Sequence, residues 1–218
     1  MMTNLFSTFD PCTGSLSLNW MSTIMIMIIL PMKYWGTPNK QTMLFNMTMK
    51  TLNKEIKMLM KYKGTSLILI SIFLMILINN LMGLVPYIFT SSSHLTYSLT
   101  LAMPIWLGMM LYGWMNKTNK MFTHLVPTGT PSMLMPFMVM IETISNLIRP
   151  GSLAVRLTAN MIAGHLLMSL LGNNCSKNLT LMLMFMMVFI LLMMFETAVA
   201  MIQAYVFMTL STLYSSEI

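Results

Sequence analysis

A stretch of apolar sequence without any formal charge runs from Gly64 to Asn116. It is long enough for two membrane-spanning helices, because about 20 apolar residues cross the hydrocarbon core of a bilayer. A soluble domain carries about 25% charged residues, whereas this chain of 218 residues is 8% charged and 56% hydrophobic. The sequence therefore predicts an all-α polytopic membrane protein that forms a single membrane domain over residues 1–218.

Turn residues and charges divide the chain into about five membrane-embedded helical spans. The first span is predicted over 16–35, and the second and third lie within 65–115. A long helical hairpin occupies 132–214, and we expect a bend at Pro150 because the residue before a proline disfavours the α-helix. The last arm of this hairpin, from about 179, would be roughly 50 Å long against a hydrocarbon core of about 30 Å. It must therefore tilt strongly or break.

Residues 42–63 carry most of the lysines and predict a different kind of helix. Lysines three or four residues apart share one face, and apolar side chains share the other. The lysines are Lys50, Lys54, Lys57 and Lys61, and the apolar residues are Leu52, Ile56 and Leu59. This pattern is typical of an amphipathic helix on a membrane surface, and a solvated loop helix is the alternative.

The lysines are grouped by loop, and this grouping predicts the orientation of the chain. Nine of the ten fall in two loops on the same side of the predicted spans. Lysine-rich loops stay inside, so the N-terminus would lie outside and the C-terminus inside. The net charge of +7 does not indicate nucleic-acid binding, because no aromatic residues alternate with the lysines to stack bases. Cys12 and Cys175 fit no metal-ligand motif, and a disulfide between them is left open.

The predicted hairpin carries ionisable and amide side chains at membrane depth, where a charge costs about 2.5–3.5 kcal/mol on insertion scales. Residues seven apart share one helix face, and three of these residues do so on the first arm and two on the second. The polar residues are Glu142, Arg149, Arg156, Asn160 and His165 on the first arm, and Glu196 and Gln203 on the second. Such residues mark ion paths or proton relays.

Arginine stays protonated, so Arg156 or Arg149 can attract or repel a charge but cannot pass on a proton. Glu142, His165 and Glu196 can each take up and release one. A fixed positive charge flanked by titratable groups is what a gated proton path needs. An internal ion pair, such as Glu142 with Arg149, is the alternative, and for Gln203 an interhelical hydrogen bond is equally compatible with the pattern.

Three segments of the predicted hairpin resemble the subunit a family of the mitochondrial F-type ATP synthases. They are PFMVMIETISNLIRPGS, LAVRLTANMIAGHLL and FETAVAMIQAYVF. Three upstream segments are similar to the insect and related arthropod members, namely MTNLFSTFDP, GLVPYIFTSSSHL and LVPTGTP. The resemblance covers nearly the whole chain.

The resemblance implies a stator subunit that provides two offset half-channels against a rotating ring of c subunits. Within the AVRLTAN motif, Arg156 matches the essential arginine of the family. His165 and Glu196 match the intermembrane-space half-channel, and Glu142 matches the matrix one. Asn160 and Gln203 match polar positions around the arginine.

Partners and location follow from the same resemblance. It implies the c-ring, other membrane-sector and peripheral-stalk subunits, and the lipid of the mitochondrial inner membrane. The N-terminus would lie in the intermembrane space, and residues 42–63 and the C-terminus on the matrix side. No phosphate loop of the Walker type is present, so nucleotide chemistry would belong to a partner, and no cofactor or metal is expected.

Two other classes compete with this interpretation. A secondary proton antiporter should show an internal repeat and a substrate site, and neither is visible in the sequence. A passive membrane scaffold would not need Glu142, Arg156, His165 and Glu196 at membrane depth.

Overall fold

The structure, a computed structural model, describes residues 5–12, 16–31, 35–60, 64–126, 131–175 and 182–217. Every regular element in these ranges is a helix, and the predicted all-α class is confirmed. The α-helices are α1 (Met21–Met25), α2 (Lys40–Leu59), α3 (Thr65–Gly83), α4 (Leu95–Asn116), α5 (Thr118–Leu125), α6 (Met135–Cys175) and α7 (Met182–Glu217). Short 3-10 helices lie at Leu5–Phe9, Leu18–Trp20, Ile26–Ile29 and Ser91–Ser93.

Four of the described helices, α3, α4, α6 and α7, are long and apolar enough to cross a membrane. The polytopic membrane class is thereby confirmed. Over the predicted first span, 16–35, the chain forms a shorter apolar segment, Leu18–Ile29. At 1.5 Å per residue this segment is about 18 Å long, which is less than the hydrocarbon core. Residues 32–34 lie outside the described ranges, and a span at 16–35 stays a prediction.

The hairpin of α6 and α7 forms the centre of the bundle. Helix α3 packs against α7, and α4 packs against α6. The shared core joins Phe73 and Ile76 of α3 to Leu157 of α6 and Phe207 of α7. Ala154, Ala200 and Ala204 are completely buried. Small side chains of this kind allow α6 and α7 to approach closely.

Helix α2 is amphipathic, and part of its apolar face packs against the rest of the chain. Ile56 is buried and Leu52 packs against the same core, which α3 and α7 supply, whereas Leu59 is partly exposed. The three described lysines of the predicted basic face, Lys50, Lys54 and Lys57, are exposed. The helix ends at Leu59 rather than at 63, and Lys61 lies outside the described residues.

Helix α6 continues through Pro150 without interruption. A proline inside a helix removes the hydrogen bond to the carbonyl four residues earlier, here that of Asn146. Pro150 is buried at the contact with α4, and this packing supports the helix on both sides of the missing bond. The two arms of the hairpin are therefore single helices of 41 and 36 residues.

Candidate functional site

Arg156 lies on the outer face of α6, in an otherwise apolar region of the surface. Val155 and Leu167 on the same helix are 51% and 53% exposed, and Ile202 of α7 is 56% exposed. Arg156 itself is exposed, and no described carboxylate lies within 4.0 Å of its guanidinium. A charged group on an apolar membrane-facing surface is costly, so this arrangement calls for a partner that covers and neutralises it.

Glu196 is buried between the two arms of the hairpin. Its carboxylate lies against Gly164, where a built Cβ would overlap all three atoms of the carboxylate group. Glycine is required at this position because it is the only residue that leaves this space open. Since Gly164 precedes His165 directly, the structure brings His165 and Glu196 to the same level of the hairpin.

In the sequence, GNNCSKN at 172–178 predicts the connection between the two arms, about 10 residues from His165 and about 20 from Glu196, which is an offset of roughly 15 Å along the helix axes. The structure makes this offset smaller. Helix α6 extends to Cys175 and α7 begins only at Met182, so the predicted connection begins too early in the chain. From these helix ends Gly164 is 11 residues away (175 − 164) and Glu196 is 14 residues away (196 − 182), so their pairing leaves an offset of only about 5 Å.

The pairing of Gly164 with Glu196 also sets the relative levels of the other polar residues along the two helices of the hairpin. Gln203 follows Glu196 by seven residues on α7, and Leu157 precedes Gly164 by seven residues on α6. Leu157 is the direct neighbour of Arg156. Gln203 therefore lies at the level of Arg156, and both Gln203 and Asn160 are half-buried. On the two arms, these are the amide side chains nearest in level to the arginine.

His165 faces the N-terminal segment of the chain. The ring of Phe9 meets its imidazole edge to face, with the centroids 6.1 Å apart and the planes at 90°. The Nε2 atom of His165 is buried and has no hydrogen-bond partner. An imidazole nitrogen without a partner can bind a proton or a water molecule, as a proton path requires.

Glu142 belongs to a second polar cluster, nearer the start of α6. Its Oε1 atom lies 3.9 Å from Nη2 of Arg149 and 3.9 Å from Nδ1 of His124. Arg149 also lies over the ring of Tyr214, 5.1 Å from the centroid. The internal ion pair that the sequence offered as an alternative is therefore present between Glu142 and Arg149. The pair is loose and partly exposed, and such pairs contribute little to stability.

The two clusters lie on opposite sides of Arg156 along α6. His165 follows Arg156 by nine residues and Glu142 precedes it by fourteen, which correspond to about 13 Å and 21 Å of helix. Two titratable sites are thus separated by one permanent positive charge.

A third polar cluster, at the end of α3 and the start of α4, was missed in the sequence. Asn79 donates a hydrogen bond to the hydroxyl of Tyr97 at 2.8 Å. Both amide atoms of Asn80, Oγ of Ser92 and Nε2 of His94 are buried without a partner. The paired asparagines in the uncharged stretch are the signal for this cluster in the sequence.

This third cluster lies at the level of His165 and Glu196. Leu84, just after α3, packs in one cluster with Met168 and Ala200. Met168 is three residues after His165, and Ala200 is four residues after Glu196. The buried polar groups of α3 and α4 and the two titratable groups of the hairpin therefore occupy one layer of the bundle.

Comparison with known proteins identifies the family. Residues 16–216 match the family model described as the ATP synthase A chain. The chain belongs to this family. It is 57% identical over its whole length to ATP synthase subunit a of Locusta migratoria, and 58% identical to that of Drosophila melanogaster. In both alignments all of this chain and all of the relative are covered.

Membership in the ATP synthase A chain family agrees with the resemblance seen in the sequence. The chain is an arthropod-like, proton-translocating subunit of the membrane sector of ATP synthase. It is a multi-pass protein of the mitochondrial inner membrane, as its four apolar helices and its insect relatives indicate.

Proposed function

We propose that Arg156 separates two proton half-channels that face a rotating ring of c subunits. His165 and Glu196 belong to the half-channel open to the intermembrane space, and Glu142 belongs to the one open to the matrix. The proposal rests on one observation above all. Arg156 is exposed on an apolar face, without an ion-pair partner in the described part of the chain, and between two titratable sites.

The missing partner of Arg156 should be a carboxylate carried by the ring. A guanidinium in a region of low dielectric strongly favours the ionised form of a nearby carboxyl group. Each ring carboxyl that reaches Arg156 would therefore be held without its proton. Since arginine itself does not release a proton, the same charge prevents protons from passing directly between the half-channels.

Proton transfer then follows from charge alone. A proton arriving through His165 and Glu196 neutralises a ring carboxylate, which can then turn into the lipid. After nearly a full turn the carboxyl group reaches the path through Glu142 and releases its proton to the matrix. Each elementary charge that crosses 100 mV delivers about 2.3 kcal/mol, so several protons are needed for each ATP.

The third polar cluster would extend the intermembrane-space half-channel inwards from α3 and α4. Asn80, Ser92 and His94 offer buried donors and acceptors that have no protein partner, and buried polar groups of this kind are usually satisfied by water. A short chain of water molecules along them would lead to the level of His165. Asn160 and Gln203 would then orient the ring carboxyl beside Arg156, although Gln203 could also form an interhelical hydrogen bond.

The charge distribution supports an orientation with the N-terminus in the intermembrane space. Lys50, Lys54 and Lys57 of α2 would then face the matrix. An impermeant amine reagent should label Lys54 in inside-out inner-membrane vesicles but not in intact mitoplasts. Labelling in mitoplasts would reverse the proposed orientation. Other membrane-sector and peripheral-stalk subunits would cover the remaining exposed apolar faces.

The central test compares the two arginines of the chain. Arg156→Ala should abolish ATP synthesis, while passive proton leak through the membrane sector persists or rises. Arg149→Gln should be tolerated far better, because Arg149 is bound to Glu142 and Tyr214 on a partly exposed face. Normal synthesis in Arg156→Ala, or equal damage from both changes, would contradict the proposed role of Arg156.

A further inference from the structure

A cleft of about 860 Å³ separates α2 from the start of α3. On the α2 side it is lined by Lys50, Asn53 and Lys57, and on the α3 side by Ser66 and Leu67. The two lysines are seven residues apart, about 10 Å along the helix, so both face the same opening. This opening, the α2–α3 cleft, shares no lining residue with the proposed proton path.

The electrostatic character of the α2–α3 cleft is positive on both walls. Lys50 and Lys57 supply two full charges, and no acidic residue is among the described residues that line it. Opposite them, α3 begins after Gly64 with no side-chain cap and no acidic residue in its first turn. The amide groups at a helix start favour an anion, so the two walls are complementary to the same negative group.

The rest of the cleft is apolar. Met49, Met60, Leu67 and Ile70 also line it, and Leu67 is 74% exposed. A free phosphate would use the basic wall but would leave this apolar surface uncovered. A phospholipid has both parts, a phosphate and acyl chains.

We propose that the α2–α3 cleft binds an anionic phospholipid. The phosphate lies between Lys50, Lys57 and the start of α3, and an acyl chain follows Leu67 and Ile70 along the span. The bound lipid fastens α2 to the membrane surface, in addition to the packing of Ile56 against the core.

The test uses the intact ATP synthase complex in nanodiscs that contain a photoreactive phosphatidylglycerol or a matched photoreactive phosphatidylcholine. Mass spectrometry measures how much label reaches the peptide spanning 46–70. We expect phosphatidylglycerol to label this peptide about tenfold more than phosphatidylcholine, because two lysines at a membrane surface attract the anionic headgroup. Equal labelling by the two lipids would overturn the proposal.

Variants separate the site from general surface charge. Lys50→Gln combined with Lys57→Gln should reduce phosphatidylglycerol labelling to the phosphatidylcholine level. Each single variant, Lys50→Gln or Lys57→Gln, should also reduce labelling by itself. Lys54→Gln removes one charge from the same helix outside the cleft lining, and it should leave labelling unchanged. Equal loss in Lys54→Gln would show that surface charge alone is responsible.

Two further outcomes would also overturn the proposal. If an excess of glycerol phosphate displaces the photoreactive lipid as well as unlabelled phosphatidylglycerol does, the cleft binds the phosphate without the acyl chains. If neither lipid labels the peptide and Lys50 or Lys57 instead cross-links to another subunit, the cleft is occupied by protein. Persistent labelling in the presence of glycerol phosphate supports binding of the whole lipid.

Discussion

The carboxylate of Glu196 lies against the Cα of Gly164, one residue before His165. This contact fixes the register of the two long helices and places a buried acid beside a histidine whose Nε2 has no partner. The proposed proton uptake site therefore depends on a residue that has no titratable group of its own.

A methyl group at position 164 should damage proton transport. In Gly164→Ala the added Cβ overlaps the carboxylate of Glu196, so the Glu196 side chain must move its carboxylate out of this site or α7 must shift. Gly172→Ala is the matched control on the same helix, because no atom lies within 4 Å of a Cβ built there. ATP-driven proton pumping in membrane vesicles should fall in Gly164→Ala and persist in Gly172→Ala. Equal pumping by both variants would argue against this contact.

His165 and Glu196 should act as one uptake site. His165→Ala and Glu196→Gln should each slow proton uptake from the intermembrane side, and the double variant should lose much less than the sum of the two effects. The measurement is the pumping rate at several pH values for the wild type, the single variants and the double variant. Additive losses would show that the two residues serve separate steps.

Substitution of Asn80 should show whether this residue lines a hydrated proton path or is only a buried polar group. Both of its amide atoms are buried without a partner, so Asn80→Leu should leave the thermal stability of the complex equal or higher while proton uptake becomes slower. Asn79→Leu is the contrasting change, since it breaks the hydrogen bond to Tyr97 and should destabilise the fold by about 1–3 kcal/mol. Undiminished uptake in Asn80→Leu would exclude Asn80 from the path.

The pKa of the Cys12 thiol should depend on the charge of Asp10. A hydrogen bond to the carboxylate of Asp10, together with the negative charge of that group, raises the pKa of the Cys12 thiol. Below this raised pKa the thiol stays neutral, and Asp10→Asn should lower the pKa and increase the thiolate fraction at pH 8. Alkylation by iodoacetamide, followed against pH on the peptide that contains Cys12, should therefore accelerate in the variant. An unchanged pH dependence would contradict the effect of Asp10.

Periodicity and composition were sufficient to predict α2, the long apolar helices α3, α4, α6 and α7, and the polar residues of the hairpin. The amphipathic pattern of 42–63 predicted which face of α2 is buried, and Ile56 is indeed buried. The spacing of Glu142 and Arg149 predicted that they could pair, and they do. These features depend on residues within one helix, where a spacing of three, four or seven determines proximity.

Contacts between residues on different helices, and their relative levels, were harder to predict from the sequence. The level of Glu196 relative to His165 depends on where the turn lies, and an error of a few residues in the turn shifts one helix by a few ångströms for each residue. His124 was not considered as a neighbour of Glu142, because it lies on α5 and reaches Glu142 only through the packing of α5 on α6. The partnerless atoms of Asn80 and His94 likewise become apparent only when burial is known.

The length of α6 has a consequence for the direction in which charge moves. A helix of 41 residues is about 60 Å long, while a bilayer with its headgroups is about 40–45 Å thick. To stay within the membrane, α6 must lean roughly 45° from the normal. The span of about 35 Å between Glu142 and His165 then divides into similar components of depth and sideways displacement. In the proposed mechanism, a proton taken up at one site and released at the other travels laterally about as far as it descends, which a straight pore along the normal would not provide. A carrier that itself moves sideways, such as the proposed ring, would join the two sites, and the tilt of one helix would then turn a voltage across the membrane into motion within its plane.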